Sequence, residues 1–246
     1  MEDRKRYLII IPVYNEEKNI GRVLDKTLAI NLPFEILVID DGSMDDTRKI
    51  VREKGIQSIS HAFNLGYGAA LHTGLMYAEK HDYEALITMD GDGQHDPSEI
   101  TKLTQCYDKT RAKVVIGSRF FKGSSYRASF FRNMGRILFS NLAFLITKRK
   151  IKDVTSGFQM ISTEAIKFLA KSDFPSDYPD ANILILLELS GFKIQEIPVK
   201  MYSIRSKDSI HYGLKPLFYI YKMLLSIVII LLNKKNLQAK TLEIKG

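Results

Sequence analysis

The stretch Ala85-Leu86-Ile87-Thr88-Met89-Asp90-Gly91-Asp92-Gly93-Gln94-His95-Asp96-Pro97 runs from an apolar segment into two carboxylates and then restarts as a helix. Ala85 to Met89 have the length and composition of a buried strand, so Asp90 is expected where the strand leaves its sheet, the edge at which open α/β sheets place ligands. In extended chain, side chains two positions apart point the same way, which aims Asp90 and Asp92 at one point. Gly91 and Gly93 let the backbone turn and let a bulky anion come close. Mg²⁺ or Mn²⁺ prefers a few carboxylates plus phosphate oxygens to an all-protein cage. The implied ligand is a metal-bound diphosphate.

Plainer readings of the same residues compete with this one. Asp-Gly pairs are common turn formers. A calcium EF-hand loop fails, because counting from Asp90 its sixth position is His95 rather than Gly and its twelfth is Thr101 rather than Glu. Asp96-Pro97-Ser98-Glu99 has the form of an N-cap, a first-turn proline and a capping-box glutamate, which gives Asp96 a structural role. Asp90 and Asp92 are left for the metal, with Gln94 or His95 beside them.

At 246 residues and 45% apolar composition, the chain can build one large α/β core with an appendage. Its single cysteine, Cys106, cannot form an intramolecular disulfide and falls on the apolar side of a helix with Ile100, Leu103 and Tyr107. No secretory segment leads the first strand, so the expected location is cytoplasmic. The net charge of +8 is concentrated: Arg111 to Lys150 holds ten Lys or Arg and no Asp or Glu. Those cations alternate with Phe120, Phe121, Phe130, Phe131, Leu138, Phe139, Phe144 and Leu145. That mixture suits an anionic membrane surface or a lipid phosphate rather than nucleic acid, with a solvated basic face over a core helix as the plainer reading.

Four strand-helix units open the chain, which implies a parallel sheet covered by helices. Tyr7 to Val13 ends in Pro12-Val-Tyr14-Asn15-Glu16, and the next helix lines one face with Ile20, Val23, Leu24, Thr27 and Leu28. Phe34 to Ile39 ends in Asp40-Asp41-Gly42-Ser43, followed by a helix closed by Gly55. Ile56 to Ser60 leads into Asn64-Leu-Gly66-Tyr-Gly68 and a helix reaching Lys80; the fourth unit carries Asp90 and Asp92. A fifth strand, Lys113 to Gly117, ends in Ser118-Arg119. Arg119 and Arg132 outrank the neighbouring lysines as phosphate contacts, because a planar fork grips phosphate better. A helix is expected over about 131–147, then a strand over Asp153 to Met160 with Gly157 inside it. Asp180 is expected as the N-cap of a helix that stops at Gly191, and Phe192 to Tyr202 as a last strand.

The organisation expected is a catalytic domain over 1–211, a helix over 212–235 and a polar tail over 236–246. In that helix the uninterrupted apolar core, Met223 to Leu232, is ten residues, short of the about 20 needed to span a bilayer. It is read as lying on or dipping into a membrane, or as buried at a homo-oligomer interface or against a small membrane partner protein.

Lined up, these stretches resemble the inverting glycosyltransferases of family 2, which have the GT-A fold. Within that family they are similar to the polyprenyl-phosphate sugar synthases, such as the dolichyl-phosphate mannose synthases. The resemblance covers about residues 7–202 and is carried by Pro12-Val-Tyr14-Asn-Glu16, Asp40-Asp41-Gly-Ser43 with Asp45 and Thr47, Asn64-Leu-Gly66-Tyr-Gly68, Asp90-Gly91-Asp92-Gly-Gln94, Gly117-Ser-Arg119 and Asp153-Val-Thr-Ser156-Gly157-Phe158. It implies a nucleotide-diphosphate sugar held by Pro12, Tyr14, Glu16 and Asp41. Asp90, Asp92 and Gln94 would bind the metal that bridges the diphosphate, with Gly91 also at the donor, and Arg119, Arg132 and Ser156 would sit at a polyprenyl-phosphate acceptor. The family usually closes its site with an Arg-x-x-Gly-x-Ser stretch; this chain has Arg205-Ser-Lys207-Asp208-Ser209, so Arg205 and Lys207 are both candidates for the donor diphosphate.

Charge decides which residues the chemistry needs. Negative charge grows on the leaving nucleotide, and cations stabilise it. A lipid-phosphate acceptor is already anionic and needs only positioning. A sugar-hydroxyl acceptor, as in polysaccharide extension, needs a base, for which Asp153 and Asp180 are the candidates. A Mg²⁺-dependent phosphohydrolase is the reading from another class, but it wants its Asp-x-Asp near the first strand with Thr or Val following. A Rossmann oxidoreductase fails because Gly66-x-Gly68 is followed by Leu71 and does not follow the first strand.

Overall fold

The computed structural model describes residues 6–81, 83–121, 130–172, 174–175, 178–203 and 215–234, with the side chains of 130–132 and 215–216 outside that description. The four opening units form as expected: β1 (Tyr7–Val13), α1 (Ile20–Leu28), β2 (Phe34–Asp40), α2 (Thr47–Glu53), β3 (Gln57–Ser60), α3 (Tyr67–Lys80) and β4 (Ala85–Thr88). A short 3₁₀ turn (Pro97–Glu99) leads into α4 (Ile100–Thr110), then β5 (Val114–Ser118), α5 (Phe130–Thr147), β6 (Gln159–Ser162), α6 (Thr163–Ala170), α7 (Ala181–Leu189), β7 (Ile194–Pro198) and α8 (Lys215–Leu232).

The seven strands lie in the order β3-β2-β1-β4-β6-β5-β7. Pairing is parallel from β3 through β4 and between β5 and β7, while β6 runs antiparallel to both neighbours. Strand β1 shows why the sheet is covered on both sides: Leu8 and Ile10 pack with α3, whereas Tyr7, Ile9, Ile11 and Val13 pack with α1 and α4. Each such side chain removed from water contributes about 1.5–3 kcal/mol, which makes the doubly buried strand the anchor of both layers. On α1, Ile20, Val23, Leu24 and Thr27 are buried as the spacing requires, but Leu28 is exposed. It lies one position beyond the stripe, at the last residue of a nine-residue helix.

Two expected strands are shorter than the sequence suggested. Of the 153–160 segment only Gln159 and Met160 are in a strand, which continues to Ser162. The Ser156 hydroxyl donates to Gly117 O at 2.6 Å and the Thr88 hydroxyl to Gly157 O at 2.6 Å, and these bonds fold the preceding residues into a turn. The last strand stops at Pro198, after which Met201 bridges to His95 and the Tyr202 N–H donates to Gln94 O at 2.8 Å. The chain thus leaves the sheet edge to cross the Asp90-Asp92 loop.

The helix expected over 212–235 is α8. Met223, Ile227 and Ile230, spaced four and three apart, bury one stripe of it in the core shared with α5 and α7. Its opposite face leaves Leu217, Phe218, Tyr221, Leu224, Leu225, Val228, Ile229 and Leu232 exposed. Among the described residues, no helix is long and apolar enough to cross a membrane. The tail expected over 236–246 lies outside the described residues.

Candidate active site

The loops at the carboxyl ends of β1 and β2 are knitted together by the polar residues of both motifs. The backbone N–H groups of Asn15, Glu16 and Glu17 donate to Ser43 Oγ at 3.0 Å, Thr47 Oγ1 at 2.8 Å and Asp45 Oδ2 at 3.1 Å. In return Met44 N–H donates to Asn15 Oδ1 at 2.8 Å. Gly42 sits at φ +79°, and a Cβ there would stand 2.6 Å from the Phe63 backbone, so this crossing point admits only glycine. Asp40 pairs with Arg48 and caps Ser43 N–H, and is structural.

Asp41 is nearly buried and accepts three bonds: from Leu65 N–H at 2.9 Å and Gly66 N–H at 2.8 Å, with His61 Nδ1 at 2.7 Å. The other His61 nitrogen meets Thr73 Oγ1 at 2.9 Å. Asp41 therefore fixes the Asn64-Leu-Gly66 loop while its rim stays on a cavity of about 360 Å³. That cavity is lined by Pro12, Tyr14, Glu16, Asp41, Asn64, Gly66, Tyr67, Asp90, Gly91 and Asp92. Of the described residues expected at the nucleoside and the diphosphate, all but Gln94 line this one space.

Asp90 and Asp92 converge through a turn rather than an extended chain. Strand β4 ends at Thr88, and Gly93 takes φ +80°. The Asp90 backbone N–H donates to His95 Nδ1 at 3.0 Å, and the His95 ring stacks on Phe158 with centroids 5.0 Å apart. Burial pushes His95 down to about 4, and with Nδ1 accepting from the Asp90 N–H the neutral ring carries its proton on Nε2. Gln94, expected on the metal, has its amide on Asp92 in this structure: its N–H and its Nε2 donate to the two carboxylate oxygens at 2.8 Å and 2.7 Å. Burial raises both carboxyls above the ordinary range, and Asp90 adds repulsion to Asp92. Glu16 is raised too, by burial first and then by Asp92 and Asp90. Three desolvated carboxylates facing one cavity are a charge pattern that a cation would relieve. Among the described residues no group of three metal-ligating side chains is brought together.

The acceptor side departs from expectation. Arg119 is 8% exposed and Asp153 fully buried. The guanidinium gives Nε to Oδ2 at 2.8 Å and Nη2 to Oδ1 at 2.7 Å, and Nη2 also reaches Thr155 O at 2.9 Å. Arg119 is committed to Asp153 in this structure, and Asp153, with no access to the cavity, is not placed to take a proton from a substrate. Ser156 is buried with its hydroxyl on Gly117 O, so it supports β5 and does not face an acceptor. Asp180 stands at the start of α7 but its side chain does not cap the helix; it accepts from Tyr219 of α8 at 3.0 Å. Burial raises Asp180 to about 6, with Arg119 opposing and Asp90 adding to the shift, which puts it in the field of the site. The Arg132 side chain, Arg205 and Lys207 lie outside the described residues.

Sequence reasoning passed over Tyr67. It follows Gly66, whose φ of +100° starts α3, and its hydroxyl donates to Asp90 Oδ1 at 2.8 Å.

A mostly parallel sheet of this order, with two carboxylates after β4 facing a cavity formed by the β1 and β2 loops, has the architecture of a GT-A glycosyltransferase. The chain belongs to glycosyl transferase family 2, whose model matches residues 8–169. It is a glycosyltransferase, and among its relatives is the UDP-N-acetylglucosamine--dolichyl-phosphate N-acetylglucosaminyltransferase of Methanococcus voltae, 31% identical over 91% of this chain and 97% of that one. The polyprenol monophosphomannose synthase of Mycolicibacterium smegmatis is 29% identical over 79% and 77%. In fold the chain is similar to glucosyl-3-phosphoglycerate synthase from Mycobacterium tuberculosis, solved with Mn²⁺, uridine-diphosphate and glucosyl-3-phosphoglycerate. That likeness has a TM-score of 0.64 at 18% identity and covers 94% of this chain and 80% of that one.

Proposed function

We propose that this enzyme moves a sugar, with inversion, from a nucleotide-diphosphate sugar onto a polyprenyl phosphate at the cytoplasmic face of a membrane to which it attaches peripherally. The observation that carries the reading is the one cavity that Pro12, Tyr14, Glu16 and Asp41 share with Asp90 and Asp92. Asp90 and Asp92 would hold Mg²⁺ or Mn²⁺, with Gln94 fixing the Asp92 carboxylate. The bound cation supplies positive charge for the diphosphate as it leaves. The chain's own residues orient the nucleoside and place the acceptor phosphate, which as an anion needs no base. The relatives named for dolichyl and polyprenol phosphates support this acceptor. So does the structure of the two carboxylates a hydroxyl acceptor would require: Asp153 is buried against Arg119 and Asp180 is bonded to Tyr219.

The test is transfer from labelled nucleotide-sugars to polyprenyl phosphate in vesicles, with Mn²⁺ or with chelator, and the mass of the product. Metal-dependent formation of a lipid-phosphate sugar is expected; transfer only to a glycan hydroxyl would refute the assignment. In the same assay Arg132→Ala should raise the acceptor KM roughly 30-fold, as expected for about 2 kcal/mol of lost charge-assisted bonding, with donor KM unchanged within about twofold. Asp180→Asn should keep transfer within about tenfold. It also has a signature in stability. Folding raises this carboxyl from about 3.9 in the unfolded chain to about 6, so the neutral form favours the fold and that stability is lost as pH rises through 6. The Asn variant should melt above wild type at pH 8 and level with it at pH 4.

Attachment is supported by the exposed apolar faces of α8 and of α5, where Met134, Ile137, Leu138, Phe144 and Leu145 are open, beside the basic segment. Deleting α8 would remove core residues, so the expected result is tested on its outer face. Leu224→Gln, Leu225→Gln and Ile229→Gln together should move the protein from floated anionic liposomes to the soluble fraction without lowering Tm by more than about 2 °C. Flotation equal to wild type would leave α8 as an oligomer face instead.

A further inference from the structure

We propose that Tyr67 and Gly157 form a positioning pair that holds the Asp90 carboxylate in its metal-binding orientation, Tyr67 by a hydrogen bond and Gly157 by leaving room for the tyrosine. The inference rests on the metal reading above and goes beyond it, because it assigns to two residues outside the Asp90-Asp92 loop a share of the metal affinity.

Tyr67 occupies the first turn of α3, reached through Gly66, and its hydroxyl donates to Asp90 Oδ1 at 2.8 Å. The second carboxylate oxygen has a different neighbour: Oδ2 stands 3.7 Å from His95 Nε2, beyond hydrogen-bond distance. One oxygen of Asp90 is therefore tied down while the other makes no such bond, which fixes the rotation of the carboxylate that would hold the cation. Outer partners of this kind orient the groups that touch a metal, and losing one typically costs 10–100-fold in affinity.

Gly157 explains how the phenol fits. It lies in the turn before β6, anchored by its carbonyl to the Thr88 hydroxyl at 2.6 Å, so its backbone cannot retreat without disturbing β4. A Cβ at this position would stand 2.7 Å from the Tyr67 hydroxyl, closer than real contacts allow, and 3.4 Å from each oxygen of Asp90, an ordinary contact. Alanine would thus strike the tyrosine hydroxyl first and Asp90 hardly at all. The two residues come from segments 90 positions apart in the chain, yet each is shaped to the other.

The structure makes the pair separable from a general loosening of the site. In Tyr67→Phe the ring remains and the hydroxyl goes, which removes both the bond to Asp90 and the atom that a methyl group on Gly157 would strike. Gly157→Ala should therefore be harmful when residue 67 is tyrosine and nearly silent when it is phenylalanine.

The experiment is Mn²⁺ binding to the full-length protein without nucleotide, read by loss of the free-ion electron paramagnetic resonance signal, with Asp92→Asn as the non-binding control. Thermal unfolding of each variant is followed alongside. Tyr67→Phe is expected to weaken Mn²⁺ binding about tenfold with Tm within about 2 °C of wild type, Gly157→Ala to weaken it by a similar factor, and the double variant to bind no worse than Tyr67→Phe. Wild-type affinity in Tyr67→Phe, or losses that multiply in the double variant, would overturn the pair while leaving the metal reading intact. Should the wild-type protein itself bind no Mn²⁺, the metal reading falls and the pair with it. Gly157→Ala that fails to fold as a single variant but folds together with Tyr67→Phe would support the steric half of the proposal, and failure in both backgrounds would overturn it.

Discussion

Asp92→Ala is expected to lower metal-dependent transfer by about 10³-fold or more, to abolish Mn²⁺ binding and to leave the fold intact. The size follows from what the residue is placed to do. Stabilising the charge that develops on a departing diphosphate contributes several kcal/mol, and about 4 kcal/mol corresponds to about 10³ in rate. The intact fold follows from the environment. Asp92 accepts its two bonds from Gln94 within the same loop, while burial and the adjacent Asp90 both disfavour its charge, so removing the carboxylate takes away repulsion rather than support. The variant should melt at or slightly above wild type in metal-free buffer, and Mn²⁺ should raise Tm for the wild type only. Full activity in Asp92→Ala, or in wild type with chelator, would show that the cavity works without a divalent cation.

The fold and the motifs that line the cavity were legible because they rest on local rules. Apolar runs of strand length, each followed by a helical stripe, fixed four units in order, and carboxylates at strand ends marked the edge where β1, β2 and β4 bring Pro12, Asp41 and Asp92 to one cavity. What escaped was decided by partners far away in the chain. The antiparallel placement of β6 between β4 and β5 carries no local signal, and the residues before it read as strand until the Ser156 and Thr88 hydroxyls are seen bending them. Arg119 has the residue type of a phosphate grip, but Asp153, 34 positions on, takes its fork. Asp180 sits at an N-cap position and would cap by default, yet Tyr219 from α8 claims its side chain. Tyr67 lay inside a quoted motif with nothing in its spacing to tie it to Asp90.

Arg119→Ala should destabilise the protein by about 3–5 kcal/mol, a fall in Tm of about 10 °C for a chain of this size, because it strands a fully buried carboxylate. Asp153 would keep the Arg119 backbone N–H at 2.9 Å but lose both bonds to the guanidinium. Removing the charge as well, in Arg119→Ala with Asp153→Ala, should recover part of the loss, since a void costs less than an uncompensated buried ion. A fall below about 1 kcal/mol in the single variant would mean that the pair is not what anchors the end of β5. The same pair separates structure from chemistry in the transfer assay. Asp153→Asn keeps an oxygen for Arg119 and should retain transfer within about tenfold per folded molecule, because a residue with no exposed surface cannot deprotonate an acceptor. A loss of about 10⁴-fold with the fold preserved would make Asp153 the base after all, which would require the Arg119 fork to open during the reaction and would point to a sugar hydroxyl as the group that attacks.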